Sequence, residues 1–309
     1  MAVSEPYRRQ VALLVRALPL VATETCFALK GRTAINLFVR DMPRLSVDID
    51  LTYVPVADRK QSLVEIDRAM RRIAGRIEKG IRGSHVGTSV LRVENCVTKL
   101  VVRADQVQIK IEVTPVLRGC VFEPITRSVC AHVEDEFGFA EMQVVSFADL
   151  YAGKIVAALD RQHPRDLFDV RELLATEGIT DEVRRAFIVY LVSHNRPMAE
   201  VLAPFRLDIA AEFGRGFDGM TDQPVELFAL VQAREDLIAA IVREMPLPHR
   251  RFLLSVKGGK PEWSLLNVPR AETLPAVQWR LANLARVSDA TRRDMLAKLG
   301  AVLGVAELI

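Results

Sequence analysis

Cysteine is scarce in this chain, with four among 309 residues. Cys26, Cys96, Cys120 and Cys130 lie far apart and form no CxxC pair, which argues against a zinc knuckle or a redox dithiol. They read as buried, reduced thiols of a cytosolic protein. Long apolar runs are absent too. No uninterrupted stretch approaches the roughly 20 residues of a membrane span. Arg8 and Arg9 before Val11–Val15 faintly suggest a signal peptide, but Arg16 and Pro19 interrupt the run and no small-x-small cleavage site follows. An amphipathic first helix and a soluble, cytoplasmic chain are therefore expected. Charge of one sign is lacking as well. A net charge of +3 permits an anionic partner without arguing for one. There is no internal repeat and no low-complexity tract.

What remains is ordinary globular composition, half hydrophobic and about a quarter charged, in a length that suits roughly two domains. Residues 6–20 show helical spacing, and Cys26–Leu29 suits a buried strand. Gly31 breaks that strand, and 33–39 continues as a helix. Residues 45–53 alternate as a second strand. Asp58–Lys79 is a long amphipathic helix, with Leu63, Ile66, Met70, Ile73 and Ile77 at intervals of three or four. Gly80–Gly87 reads as a loop. Strands are expected at 90–93, 97–102 and 107–114, with Ala104-Asp105-Gln106 as a hairpin connection. Residues 116–138 are irregular, 141–145 reads as an edge strand, and Ser146 with Asp149 starts a helix over 147–160. His163-Pro164 ends it, another helix begins at Asp166, and helical patterns follow at 181–194, 223–244 and 287–303. The pattern predicts an α/β domain over 1–145 and a mainly helical domain over 146–309.

The chemistry concentrates in three places. Asp48 and Asp50 are one residue apart on a strand and so project to one face. Side-by-side carboxylates repel, and a hard divalent cation such as Mg²⁺ or Mn²⁺ removes the conflict. The strand–glycine–helix junction around Lys30, Gly31, Arg32 and Thr33 would present unpaired backbone N–H groups to an anion such as phosphate. On a later strand Lys110 and Glu112 share a face, which adds a third carboxylate. Together these fit two-metal phosphoryl transfer. In the helical half, Lys154 either snorkels from a small-sided helix or meets nucleotide phosphates. In Arg165-Asp166-Leu167-Phe168-Asp169, Asp166 could cap the helix and Arg165 could pair with Asp169, or the acids could serve catalysis. Ser46, two residues before Asp48, is either a hydroxyl that orients Asp48 or a phosphorylation site whose charge of about −2 would silence the acids. Arg68, Arg71, Arg72 and Arg76 read as a solvated helix face, with an RNA-facing surface as the other reading.

Lys30-Gly31-x-Thr33-Ala34-x-Asn36-Leu37, Arg44-x-Ser46-x-Asp48-Ile49-Asp50-Leu51, and Lys154 through Arg161 to Arg165-Asp166-x-x-Asp169 resemble the AbiEii/AbiGii toxin family. That family belongs to the nucleotidyltransferases with a DNA-polymerase-β-like core. The resemblance covers roughly residues 20–235.

It implies a bilobed protein: an α/β (α+β) nucleotidyltransferase-like domain with a mixed sheet, then the helical domain, with the active site in a cleft between them. Asp48 and Asp50 would be the paired metal ligands, and Glu112 sits where the superfamily places its third acid. Gly31, Arg32 and Thr33 would form the phosphate-binding turn, with Lys30 and Ser46 beside it. Lys154 would contact phosphates, and Asp166 or Asp169 would supply the acid of the final motif. The implied reaction moves a nucleoside monophosphate from an NTP, with Mg²⁺ or Mn²⁺, to a hydroxyl such as a tRNA 3′ end. An antitoxin protein would hold the enzyme inactive. One departure stands out: the turn usually reads Gly-Gly or Gly-Ser, and here the second position is Arg32. A guanidinium there either binds triphosphate or obstructs its close approach. Two rival readings are a nucleotide- or RNA-binding module without turnover and a kinase-like phosphotransferase.

Overall fold

The computed structural model describes residues 5–44, 46–221 and 223–308. Leu45, expected at the start of the second strand, lies outside the described residues. The chain forms two compact units, one of residues 1–146 with 219–223, the other of 147–218 with 224–309.

In the first unit the elements run α1 (Glu5–Ala22), β1 (Phe27–Lys30), α2 (Gly31–Phe38), β2 (Asp48–Tyr53), α3 (Arg59–Gly80), β3 (His85–Leu91), β4 (Cys96–Ala104), β5 (Val107–Val113), β6 (Ile125–Ser128), α4 (Ala131–Phe137) and β7 (Glu141–Val144). The strands join one sheet in the order β3-β4-β5-β2-β1-β7-β6. It is a mixed sheet: β2 pairs antiparallel with β1 and parallel with β5, and β1 pairs parallel with β7. Alternation divides its faces. Leu29, Ile49, Leu51, Tyr53, Ile109 and Ile111 are buried on one face, which α1 and α3 cover. Asp58 caps α3 by accepting from the Gln61 N–H at 3.0 Å. The opposite face carries Asp48, Asp50, Lys110 and Glu112.

The hairpin at Asp105-Gln106 forms with both residues at positive φ, the requirement of a tight two-residue turn. Three expectations are corrected. Strand β3 begins at His85, inside the expected loop. The irregular stretch contains β6 and α4. Strand β7 is internal, between β1 and β6, and β6 is the edge. Its buried Met142 and Val144 belong to an inner strand's packing, which a run of four residues does not disclose.

In the second unit α5 (Phe147–Arg161) and α6 (Pro164–Ala175) are joined by a short turn. Helix α7 (Asp181–Ser193) packs against α5. The expected 223–244 helix starts at Leu227 and widens into a π-turn over Ala239–Arg243. Helices Leu247–Gly258 and Pro275–Ala285 were not expected, although each opens with proline in its first turn, a helix-start signal. Among the described residues no helix is long and apolar enough to cross a membrane.

Candidate active site

The junction of β1 and α2 is built around Gly31, which takes φ +74°, a region that residues with a β-carbon avoid. A β-carbon there would stand 2.7 Å from Asp50 Oδ2. The first turn of α2 is tied to β2 from the other side. Thr33 is fully buried, and its hydroxyl donates to the Asp48 carbonyl and lies 2.8 Å from the Ser46 hydroxyl. Asn36 Nδ2 donates back to the Arg32 carbonyl at 2.7 Å. Ser46 is thus buried and linked to Asp48 through Thr33.

Strand register then sets the charges. Lys99 of β4 opposes Glu112 of β5, Glu112 opposes Asp50 of β2, and Asp50 opposes Lys30 of β1. Directly opposed residues share a face, so one rung of the sheet reads Lys99, Glu112, Asp50, Lys30. One pleat along, Lys110 opposes Asp48. The adjacent carboxylates of Asp50 and Glu112 would repel, and the flanking lysines offset this. Lys99 Nζ lies 2.6 Å from Glu112 Oε1. Arg32 reaches Asp48 Oδ2 at 3.5 Å. Burial pushes the Asp50 carboxyl above its ordinary range, Lys30 and Arg32 pull it down, and Asp48 and Glu112 push it further up. Burial also draws the Lys30 ammonium below its ordinary value, with Asp50 opposing. Its Nζ lies 3.4 Å from Thr114 Oγ1.

Asp48 and Asp50 offer hard oxygen donors beside a turn bare of side chain, a donor set that suits Mg²⁺ or Mn²⁺. Asp50 in particular is a half-buried acid with Asp48 and Glu112 pushing its carboxyl up, a setting that a cation relieves. Among the described residues, however, no three His, Cys, Asp or Glu side chains come together closely enough to hold a metal. Glu112 is aligned with Asp50 but engaged by Lys99.

In the second unit Lys154 is 5% exposed, and its ammonium sits between two carboxylates, 2.7 Å from Asp166 Oδ1 and 3.0 Å from Asp169 Oδ2. Arg161 adds a contact of 2.8 Å to Asp166 Oδ2. The tight turn at His163-Pro164 makes this possible by folding α6 back onto α5. One of the structural roles weighed for this segment, Asp166 as the helix cap, is replaced. His163 caps α6 through its Nδ1, which accepts from the Arg165 N–H. Asp166, in the first turn, faces Lys154 and Arg161 instead. Arg165 reaches the Gly216 carbonyl through Nε at 2.9 Å.

The arginines of α3 are largely committed within the molecule. Arg71 binds Asp67, while Arg72 and Arg76 both bind the buried Glu24. Lys99 went unnoticed in the sequence. Strand period sets it on the face opposite the buried Leu100, but its place beside Glu112 depends on the pairing of β4 with β5.

Over residues 12–283 the chain matches the family model described as Nucleotidyl transferase AbiEii toxin, Type IV TA system. No curated protein matches it significantly. Among solved structures it is similar to MenT4, a nucleotidyltransferase toxin from Mycobacterium tuberculosis H37Rv. That likeness has 16% identity, a TM-score of 0.59, and coverage of 89% of this chain and 92% of the other. At that identity it speaks for the fold. The family match spans most of the chain, and with it the chain belongs to the AbiEii nucleotidyltransferase toxins of type IV toxin–antitoxin systems.

Proposed function

We propose that this nucleotidyltransferase moves a nucleoside monophosphate from an NTP to the 3′ hydroxyl of an RNA, with tRNA as the favoured acceptor. The observation that carries the reading is the approach of Asp50 to the bare Gly31 turn, with Asp48 on the same face, in a chain of this family. The hydroxyl oxygen would bond to the α-phosphorus, the bond to the bridging β-phosphate oxygen would break, and pyrophosphate would leave as the hydroxyl proton is lost to solvent.

Asp48 and Asp50 would hold a divalent ion, and Glu112 would join them by exchanging its Lys99 partner for the metal. When bound, such an ion neutralises phosphate charge and favours a hydroxyl nucleophile. Thr33, locked between Ser46 and the Asp48 carbonyl, orients the acid strand against the turn. Lys30 and Arg32 supply positive charge to the triphosphate, Arg32 by leaving Asp48. Lys154, Asp166 and Asp169 act as a unit within the helical half, in which the two acids fix the position of the ammonium. An antitoxin protein would restrain the activity.

The acceptor is tested with α-labelled NTP and two tRNA preparations, one intact and one with its 3′ ribose oxidised by periodate. Label should enter only the intact RNA. Equal labelling of both would contradict a 3′-hydroxyl acceptor.

A further inference from the structure

Arg118 is buried, with 7% of its surface exposed. Its Nε and one terminal nitrogen, Nη1, are out of solvent contact and have no hydrogen-bond partner. The residue lies in the irregular segment after β5, which is pinned to the end of β2 by the Gly119 N–H donating to the Tyr53 carbonyl at 2.8 Å. Tyr53 is three residues beyond Asp50 and points to the opposite face of the sheet. Burial and the Arg59 charge at the start of α3 disfavour the Arg118 guanidinium, while Tyr53 and Asp58 act in its favour.

The acids around the start of α3 each have partners of their own. Asp58 caps α3 through Gln61, Glu65 accepts from Tyr53 and Gln61, and Glu94 pairs with Arg59. Among the described residues Arg118 is therefore a buried guanidinium that no carboxylate contacts, with Arg59 acting against its charge and Asp58 only partly offsetting it. A buried cation left in that state is costly unless an anion matches it. Helix α3 contributes in the same sense, because its 22 residues aim a positive dipole end at this corner.

We propose that Arg118 and Arg59, at the start of α3, form a binding site for a phosphate-class oxyanion, distinct from the Gly31 turn. Arg118 is the anchor and Arg59, half exposed, is the gate-side partner. The anion is a free phosphate or a phosphate of an RNA strand, and the chemistry of recognition is the same for both.

The test compares thermal unfolding of the full chain in sodium phosphate and in sodium chloride of equal ionic strength. Phosphate should raise the wild-type midpoint by about 2–4 °C at saturating concentration, since an anion bound only to the folded state stabilises it. Arg118→Met should unfold in chloride no earlier than wild type, because it removes an unmatched buried charge, and should gain clearly less from phosphate than wild type does. Gly31→Ala should keep the gain, which separates this site from the nucleotide turn and from the proposed transfer reaction. Arg59→Gln, at an exposed position, should weaken phosphate binding about threefold to tenfold and serves if Arg118→Met does not fold. A short single-stranded RNA forms the second arm. Binding that falls about tenfold in Arg118→Met assigns the anion to an RNA phosphate. Equal phosphate shifts in all four proteins, together with unchanged RNA binding, would overturn the site.

Discussion

Gly31 approaches Asp50 so closely that a β-carbon on it would stand 2.7 Å from the Asp50 carboxylate oxygen. The turn and the acid strand are thereby one construction. The backbone of β1 leaves the sheet at the point where Asp50 projects, and φ +74° at Gly31 lets the chain begin α2 without covering the carboxylate. The Asp50 carboxyl in turn has Lys30 beside it in register.

Gly31→Ala adds both a left-handed strain and a clash, so a loss of about 1–3 kcal/mol is expected. Urea unfolding measures the loss. Calorimetry of Mg²⁺–NTP binding to the folded variant should show affinity reduced more than about tenfold, since Asp50 must move.

Lys154 has a structural role that is separable from any catalytic one. Lys154→Met leaves Asp166 and Asp169 facing each other in the interior, and a cost of about 3–5 kcal/mol is expected. Adding Asp166→Asn should return part of it. A denaturant midpoint within experimental error of wild type for Lys154→Met would show that the buried pair is not holding α5 to α6.

Ser46 and Thr33 predict how the acid strand responds to a new charge. Ser46→Ala loses one buried hydroxyl contact, worth about 1 kcal/mol, and should keep most of its nucleotide transfer. Ser46→Glu sets a carboxylate beside Asp48 and should abolish transfer. A fully active Ser46→Glu variant would count against any charge-based control at this position.

Glu24 supplies the pH prediction. Hydrogen bonding from Arg72, aided by Arg76, holds its carboxyl below the ordinary value although burial opposes this. The unfolded chain therefore binds a proton here at higher pH than the folded one does. The stabilisation is complete above the unfolded value of about 4.3 and is lost as pH falls through the lower folded value. Glu24→Gln should cost about 1–3 kcal/mol at pH 7, with the difference from wild type shrinking in acid. A difference that stays constant from pH 7 to pH 3 would contradict the assignment.

The parts of this site that are local in the chain could be read before folding. Strand period alone puts Asp48 and Asp50 on one face, and the Gly31 break marks the turn. The parts that depend on register could not. Glu112 was identified as a third acid on a later strand, but its alignment with Asp50 and its capture by Lys99 follow from a parallel β2–β5 pair and an antiparallel β4–β5 pair. The same holds for β7, whose four residues look like an edge until β6 is found beside them. Lys154, Asp166 and Asp169 are legible as a set only through the family motif they resemble. Their mutual pairing is not, since spacing does not say whether a lysine meets its neighbours or solvent. The two proline-initiated helices of the second unit carry a start signal, Pro248 and Pro275 in their first turns, that the expected elements leave out.

The central claim is α-phosphate transfer at the Asp48/Asp50 site. It is tested most directly by giving the enzyme, with Mg²⁺ and total RNA, NTP labelled at either the α- or the γ-phosphate, alongside Asp50→Ala. Wild type should place α-label on RNA and release γ-label as pyrophosphate, and Asp50→Ala, folded as judged by its thermal midpoint, should do neither. Transfer of γ-label to an acceptor, or α-label transfer that survives in Asp50→Ala, would contradict the account.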